Sequence, residues 1–363
     1  MKFLLVISVA VACLSFASCS GNSQQKKTDN ESTIDTAVDS DLKKELIAGK
    51  VDSIRQRVYW CLEKFGRMEK GKLQNLPVHD FLKVYNKAGF LIEETHYNVN
   101  SEVVNSRKIT YNADNLPASE ELFKGVELSE RIVYTYNEKN SLAKKEKFDG
   151  YGKSRERTEY SYYNDSYLLM DEDLYKDGKL SVKYVYIYEN SQLTKKHKYW
   201  GGGSLAQAES YKYDYDNHLA SVFSETYKDK IAKFEKHIEY GEYTRFGEYG
   251  IKIEYDANGS QTAKITRTYD DFGNLTSYVP AALKQVADET DETEVNVEIR
   301  GEDIEYEEYE ETTPKQEWVS SPGDAYEYTY DDKNNWIQKI TYKITENGER
   351  VRQFYFDRVI YYK

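Results

Sequence analysis

A large apolar residue recurs after a polar turn at an almost constant interval, and this repeat constrains the fold more than any other feature of the sequence. The intervals are 26, 26, 26, 25 and 26 residues, in the series Phe90, Leu116, Leu142, Leu168, Leu193 and Leu219. A fixed period of this length is typical of arrays built from one supersecondary unit. The chain is therefore expected to fold as a row of equivalent units.

Each unit is predicted to contain two strands and two turns. The residues before each register position are Tyr, Asn, Asp and Gly, which close tight turns, as at 85–89 and 111–115. Between the turns the sequence alternates with period two, as at 182–189, and this indicates strands. We therefore predict an all-β fold, a repetitive antiparallel meander of β-hairpins with about 26 residues per two-strand unit, forming an extended or curled single sheet.

The N-terminus carries the features of an export signal. Met1-Lys2 precedes an apolar stretch at 3–12 that is too short to span a bilayer. The following Phe16-Ala17-Ser18-Cys19 resembles the lipobox of bacterial lipoproteins, with Phe where Leu is usual. This predicts lipidation of Cys19 and a membrane anchor. Cys13 is an alternative site, but it lies within the apolar run, and cleavage after Ser18 with release of a soluble protein is a second alternative.

The sequence divides into six predicted regions. Residues 41–48 suggest a short helical turn, 54–62 an opening strand and 350–362 a closing strand. The predicted regions are a signal peptide at 1–18, a lipidated flexible tether at 19–40, an opening segment with the first strands at 41–80, β-hairpin repeats at 81–279, an acidic insertion at 280–322, and a C-terminal repeat with the closing strand at 323–363.

The clearest copy of the repeat is Tyr-Asp-x-x-Gly-Asn-Leu at 269–275, which resembles the YD repeat of RHS-type proteins. Together with the lipobox and the stretches at 49–54, 63–66 and 335–337, it makes residues 49–363 similar to YD-repeat-like lipoproteins of the Bacteroidota. The resemblance implies a β-repeat architecture and no established activity. In large RHS proteins the repeats curl into a shell around a toxin. This chain has too few repeats for a full shell and no evident C-terminal toxin domain.

Charge and composition exclude several classes of partner. Loss of the signal removes Lys2, so the formal net charge falls from −13 to −14. A nucleic-acid partner needs a basic surface, and an anionic lipid surface would not attract a chain with this overall balance. The chain contains 35 tyrosines and few aliphatic residues. Since Tyr can cover a sheet while its hydroxyl stays hydrated, a thin or hollow β architecture is expected.

Residues 288–311 contain 13 acidic residues and one Arg. The segment would suit a calcium site or a cationic partner, but it lacks the Asp-x-Asp-x-Asp-Gly spacing, and a solvated insertion is the preferred interpretation. The histidines are scattered over different units, so no metal site is expected; they are His79, His96, His197, His218 and His237.

No catalytic motif is present, so we predict no enzyme activity, no catalytic residues and no cofactor. Cys61 remains in the mature chain and is expected to be a packed thiol. The best candidates for ligand contact are the aromatic residues that precede the second turn of each unit, chiefly Trp200, with Tyr97, Tyr175 and Tyr227. Sugar rings stack on such side chains, although the same rings would also serve as the core of a sheet poor in aliphatic residues.

Three functions remain open: an interaction or scaffold module, a glycan-binding lipoprotein, and an enzyme with a non-standard site. We expect a monomer in the cell envelope, held at the outer membrane by its lipid and meeting a protein or glycan partner. Residues 20–27 after Cys19 contain no acid, which favours the periplasmic face. An open sheet with exposed tyrosines would argue for binding, and a closed barrel with buried tyrosines would argue for a scaffold.

Overall fold

A computed structural model describes residues 39–163, 166–285 and 316–363. The described part contains one short helix, α1 Asp41–Lys44, and antiparallel strands. The strands are β1 Val51–Lys64, β2 Arg67–Leu73, β3 Phe81–Tyr85, β4 Leu91–Tyr97, β5 Val103–Tyr111, β6 Pro117–Lys124, β7 Glu127–Tyr136, β8 Leu142–Asp149, β9 Ser154–Tyr162, β10 Leu169–Lys176, β11 Lys179–Glu189, β12 Gln192–Trp200, β13 Leu205–Tyr213, β14 Leu219–Lys228, β15 Ile231–Tyr243, β16 Tyr249–Tyr255, β17 Gln261–Tyr269, β18 Leu275–Gln285, β19 Gln316–Ser320, β20 Gly323–Tyr330, β21 Trp336–Ile344 and β22 Arg350–Tyr362. No helix among these residues is long and apolar enough to cross a membrane.

Strand β1 closes the sheet into a ring. One edge of β1 pairs with β3, and its other edge, from Val51 to Trp60, pairs with β22. Strands β3 to β18 pair in chain order, and β20, β21 and β22 continue the ring to the seam. The result is a closed antiparallel β-barrel of 20 strands. Strands β2 and β19 lie outside the ring, each paired with the far half of β1 or β18.

The prediction of an all-β antiparallel fold is confirmed, but the prediction of an extended or curled single sheet is wrong. The two ends of the repeat array pair with each other, Ile54 with Ile360 and Val58 with Phe356. Each hairpin adds twist to the sheet, and pairing the terminal strands removes both unpaired edges of the ring.

The repeated turn has one hydrogen-bond pattern, which explains its sequence. At Asp256, Oδ1 accepts the backbone N–H groups of Asn258 and Ser260, and Gly259 has φ +81°. Position one therefore needs a side-chain oxygen, and position four needs a residue that tolerates positive φ. The pattern recurs with Asn or Gly at position four in the turns that begin at Asn86, Asn112, Asn137, Asp270 and Asp331. The turns that begin at Asn86, Asn112, Asn137, Asp270 and Asp331 lie at one end of the barrel, called the motif rim; the Asp256 turn joins β16 to β17 at the opposite end, called the far rim.

At six turns of the motif rim, the tyrosine that precedes the turn ties two strands together. Tyr213 Oη donates to the Leu193 carbonyl at 3.1 Å, and Tyr111 Oη donates to the Leu91 carbonyl at 2.7 Å. In each case the acceptor lies on the preceding strand of the ring, opposite the previous motif tyrosine. The same bond is made by Tyr136, Tyr162, Tyr243 and Tyr269. The abundant tyrosine is therefore part of the wall.

The two faces of the wall differ in burial. Val182 and Tyr186 are buried, whereas Lys183 and Val185 between them are partly exposed. Other buried side chains share the face of Val182, among them Ile54, Val58, Ile132, Val222 and Ile238. Because no second layer covers the ring, the buried face is the inner one. The outer face alternates with it along every strand.

The N-terminal segment packs on the motif rim across the seam. Asp41 Oδ2 accepts the backbone N–H of Leu91 at 2.8 Å, and Leu42 is buried in a core cluster with Phe81 and Tyr85. The segment therefore seals the inner core at this end of the barrel.

Candidate functional site

All four predicted ligand-contact aromatics lie at the far rim with their rings or hydroxyls already engaged. The Arg55 guanidinium lies 4.5 Å from the ring centre of Tyr97, and that of Arg157 lies 4.5 Å from the ring centre of Tyr175. Tyr227 Oη donates to Glu225 at 3.0 Å. Cation–π contacts of this kind cover a ring face that a sugar would otherwise use.

Trp200 is not the structural equivalent of these residues. In each unit, one residue pairs with the tyrosine that precedes the motif-rim turn, as Leu91 and Leu193 do. The outward-facing aromatic stands six positions after that residue, at Tyr97 and at Tyr199. Trp200 follows one position later and pairs with the inward Val182. A shift of one residue reverses the face of a strand, so Trp200 lies on the face of Lys198. The Lys198 ammonium is 4.9 Å from the centre of its ring.

A shallow cavity of about 260 Å³ lies beside Trp200 on the outer wall. Its lining includes Leu180, Val185 and Tyr199, with Lys183 at one side. Lys183 lies 3.2 Å from Asp171 and 3.3 Å from Asp173. Burial opposes the charge, but the two carboxylates outweigh it and raise the pKa of Lys183. The cavity lining therefore combines two aromatic and two aliphatic residues, bordered by a paired cation.

Glycine is required where the strand leaves this cavity. A Cβ on Gly201 would lie 1.9 Å from the Leu180 carbonyl oxygen, whereas a Cβ on Gly202 would meet nothing within 4 Å. Of the three glycines after Trp200, only Gly201 is needed because two backbones approach each other closely there.

Carboxylates on the inner face accept hydrogen bonds from tyrosines on the neighbouring strand. Glu120 accepts from Tyr134 at 2.6 Å, and Glu172 accepts from Tyr186 at 2.9 Å. Burial and then the bonded carboxylate raise the pKa of Tyr134, so its hydroxyl stays protonated. Sequence reasoning did not identify these pairs, although Glu172 and Tyr186 fall two periods of 26 residues after Glu120 and Tyr134.

A second inner cluster lies beside the seam and is an ionic network. Burial opposes ionisation of Glu94, but His96 at 3.3 Å, Lys83 and Arg107 at 3.0 Å together lower its pKa to about 2. The bond to Glu94 is also the largest cause of the raised pKa of His96. Lys83 reaches Glu45 of the N-terminal segment at 2.6 Å. Charge alternates along this part of the inner wall.

Two cations follow one another on the other side of the seam. The Lys339 ammonium lies 4.2 Å from the ring centre of Tyr326, and burial, helped by Arg358, lowers the pKa of Lys339 to about 8. The Arg358 guanidinium lies 3.3 Å from the centre of Trp336, and burial lowers its pKa to about 10. Arg358 donates to Gln56 Oε1 at 3.1 Å. These cations are held by aromatic rings and an amide.

The remaining predicted chemistry gives no further site in the described part of the chain. Within residues 39–163, 166–285 and 316–363, no group of three or more His, Cys, Asp or Glu could hold a metal ion. Cys61 is partly exposed, its Sγ lies 3.7 Å from Met68 Sδ, and burial raises the pKa of its thiol. A raised thiol pKa disfavours the nucleophilic thiolate. Cys19 and the acidic run at 288–311 lie outside the described residues.

Comparison with known proteins gives weak structural similarities only. No protein-family profile and no curated protein matches the chain. The structure of TcdB2-TccC3 without its hypervariable C-terminal region is 11% identical with a TM-score of 0.34, covering 76% of this chain and 14% of its own. A porin-like protein from Bacteroides uniformis is 10% identical with a TM-score of 0.31, covering 85% and 96% respectively. The Photorhabdus luminescens Tc holotoxin pore is 10% identical with a TM-score of 0.27, covering 79% and 16%. The chain thus spans a small part of the Tc toxin chains, and similarity at this level carries no functional argument.

Proposed function

We propose that this protein is a non-enzymatic interaction module of the cell envelope, a closed YD-repeat-like barrel tethered to the outer membrane by lipid on Cys19. The observation that carries the proposal is the use of the inner tyrosines. Tyr134 and Tyr186 are bonded to inner carboxylates, and the motif tyrosines are bonded to backbone carbonyls. The aromatic side chains that an open sheet would present to a ligand are here part of the wall, as expected of a scaffold.

The proposed anchor places this scaffold close to its partners. Asp39, the first described residue, lies twenty positions after Cys19, and at about 3.5 Å per residue a fully extended chain of that length reaches roughly 70 Å. Attachment within that radius raises the effective concentration of a weakly binding partner. We place the barrel on the periplasmic side, since residues 20–27 contain no acid.

Lipid attachment is tested by labelling growing cells with an alkyne fatty acid and detecting the tag on the purified full chain. Cys19→Ala should abolish labelling, and Cys13→Ala should leave it unchanged. Labelling that survives Cys19→Ala would reject the proposed anchor. Protease protection in cells with an intact outer membrane then reports the side, and cleavage without permeabilisation would reject the periplasmic placement.

The scaffold role is tested by photo-crosslinking in intact cells. A photoreactive residue at Tyr215, which is fully exposed on the motif rim, should give discrete adducts with a defined protein if this rim binds one. The same residue at Val126 samples the far rim. Absence of adducts from both positions, with the barrel present at its normal level, would contradict a protein-binding scaffold.

Glycan binding is a second candidate because the cavity beside Trp200 joins apolar and aromatic surface on an exposed wall. Tyr199 and Leu180 line it, and half of the Trp200 side chain is exposed. A glycan array with the purified chain should show a ligand whose binding is lost in both Tyr199→Ala and Trp200→Ala. Tyr227→Ala is the matched control outside the cavity. Binding that is unchanged by all three substitutions would reject this site.

A further inference from the structure

Two cations on neighbouring strands face the interior of the barrel, Lys339 on β21 and Arg358 on β22. Lys339 pairs with Phe356, which pairs with the buried Val58 of β1, and Arg358 follows Phe356 by two positions. These side chains therefore share the inner face. Because Lys339 and Arg358 stay partly exposed there, solvent reaches the inner side of the wall. Barrels of about 16–18 strands already hold a water-filled channel, and this ring has 20 strands.

Neither cation is neutralised by a carboxylate of the described residues. Asp324 acts on Lys339 and Glu45 acts on Arg358, but each of these acids lies 2.6 Å from the ammonium of a different lysine. Arg358 donates to Gln56 Oε1 at 3.1 Å, and its buried Nε has no hydrogen-bond partner among the described residues. A buried donor without an acceptor calls for an explanation. The pair therefore has positive charge and N–H donors to offer to an anion.

Aromatic rings surround the two cations. The Lys339 ammonium lies 4.2 Å from the ring centre of Tyr326, and the Arg358 guanidinium lies 3.3 Å from that of Trp336. Tyr328 stands between them, with its ring centre 5.5 Å from the Lys339 ammonium and 6.0 Å from the ring centre of Trp336. These five residues are called the seam cation site. Sites for small ligands commonly combine such apolar surface with a few polar groups.

A structural role does not account for Lys339. Burial and the neighbouring Arg358 lower its pKa to about 8, so its charge destabilises the folded state. An apolar side chain could pack against the same rings without this cost. Ionisable groups with strongly perturbed pKa values are concentrated at functional sites, where stability is given up for activity or binding. Lys339 is therefore expected to serve a ligand.

We propose that the seam cation site binds the carboxylate of an acidic saccharide inside the barrel. The Arg358 guanidinium and the Lys339 ammonium donate to the carboxylate oxygens, and such charge-assisted hydrogen bonds are strong. The rings of Tyr326 and Trp336 supply aromatic surface for the sugar ring. An inorganic anion would use the cations alone and leave the rings without a role. This site goes beyond the proposed scaffold role, which does not depend on it.

Isothermal titration calorimetry of the purified full chain tests the site with a trimer of galacturonic acid and, as ligand control, the neutral galactose trimer. The acidic trimer should bind, and the neutral trimer should bind at least about tenfold more weakly. Lys339→Met keeps the length of the side chain and should weaken binding of the acidic trimer about tenfold. Lys196→Met is the matched control, because Lys196 also lies over inner tyrosines, but on β12. It should leave binding unchanged.

The charge state of Lys339 gives a second readout on the wild type. The charged or titratable groups that face Lys339 are Arg358, Asp324 and His79. Burial lowers the pKa of His79, so this ring stays neutral above pH 7. With a pKa of about 8, Lys339 loses its proton between about pH 7 and about pH 9, and affinity for the acidic trimer should fall about fivefold. Lys339→Met should abolish this pH dependence.

No binding of the acidic trimer, equal binding of the neutral trimer, or unchanged binding by Lys339→Met would each overturn the proposal. An affinity that did not vary with pH in the wild type would also overturn it. Inorganic phosphate is the last probe. If phosphate bound as tightly as the acidic trimer, the site would be a general anion site and the assignment to a saccharide would be wrong. All of these outcomes leave the crosslinking test of the scaffold role unaffected.

Discussion

Replacing Lys339 by Met should stabilise the barrel at neutral pH. Lys339 points inward from β21, and its ammonium lies over Tyr326, Tyr328 and Phe356 at 4.2, 5.5 and 5.7 Å from the ring centres. Burial and the neighbouring Arg358 lower its pKa from 10.5 to about 8. Methionine keeps the length of the side chain and removes the charge.

The size of the effect follows from that pKa. At about 1.4 kcal/mol per pH unit, a fall from 10.5 to about 8 means that the charged amine destabilises the folded state by about 3 kcal/mol. Loss of the cation–π contacts costs about 1–2 kcal/mol, part of which sulfur–aromatic contacts of Met recover. The Lys339→Met variant should therefore be about 1–2 kcal/mol more stable than the wild type at pH 7.

The pH dependence gives the sharper test. Between the folded pKa of about 8 and the unfolded value of 10.5, the unfolded chain keeps a proton on Lys339 that the folded chain has released. Stability of the wild type must therefore rise with pH across this window relative to the variant, and the gain from Met should shrink as the charge penalty disappears. Tyrosine titration affects both proteins equally and cancels in the difference.

Urea unfolding followed by tryptophan fluorescence, from neutral pH to about pH 10, measures this difference. The matched control is Lys343→Met on the same strand, where the exposed ammonium pairs with Asp324 at 2.6 Å. That change should stay within about 0.5 kcal/mol. If Lys339→Met were destabilising at neutral pH, or if the gap did not vary with pH, the assignment of a charge penalty to Lys339 would be refuted.

Three further experiments test the wall. Tyr213→Phe deletes one bond to a backbone carbonyl and should lower the free energy of unfolding by about 1 kcal/mol; no change would show that the hydroxyl is satisfied by water. Asn335→Ala removes two hydrogen bonds to the Ala48 backbone, at 2.6 and 2.9 Å. Hydrogen exchange of the Ala48 amide should become faster. An unchanged rate would show that the N-terminal segment is held by other contacts. Gly201→Ala should lower the unfolding midpoint because its Cβ meets a carbonyl at 1.9 Å, and Gly202→Ala, with open space around it, should be nearly neutral; equal effects would contradict the close approach.

Strands and turns were predictable because their causes are local. A side-chain oxygen at Asp256 and a positive φ at Gly259 lie three residues apart, so the sequence shows both at once. Ring closure depends on pairs such as Val51 with Tyr362, about 300 residues apart. No pattern within a repeat records that contact, and an open sheet and a closed one share the same hairpins.

The site was less predictable because face assignment depends on bulges. The period placed an aromatic before each second turn, but Trp200 stands one position after Tyr199, and only the pairing with Lys183 and Val182 shows which of them faces outward. The aromatic surroundings of Lys339 were also hidden, since its ring partners come from the strands on either side.

The seam also sets the order in which the barrel can be completed. Strand β1 is made near the start of the described residues, but its partner β22, at residues 350–362, is made long after it, and the Lys363 backbone N–H donates to the Lys50 carbonyl at 2.8 Å. Until β22 is made, the edge of β1 from Val51 to Trp60 has no strand to pair with. A nascent or truncated chain that lacks β22 therefore has two unpaired strand edges. Such a chain is most exposed to self-association in the interval before β22 is made.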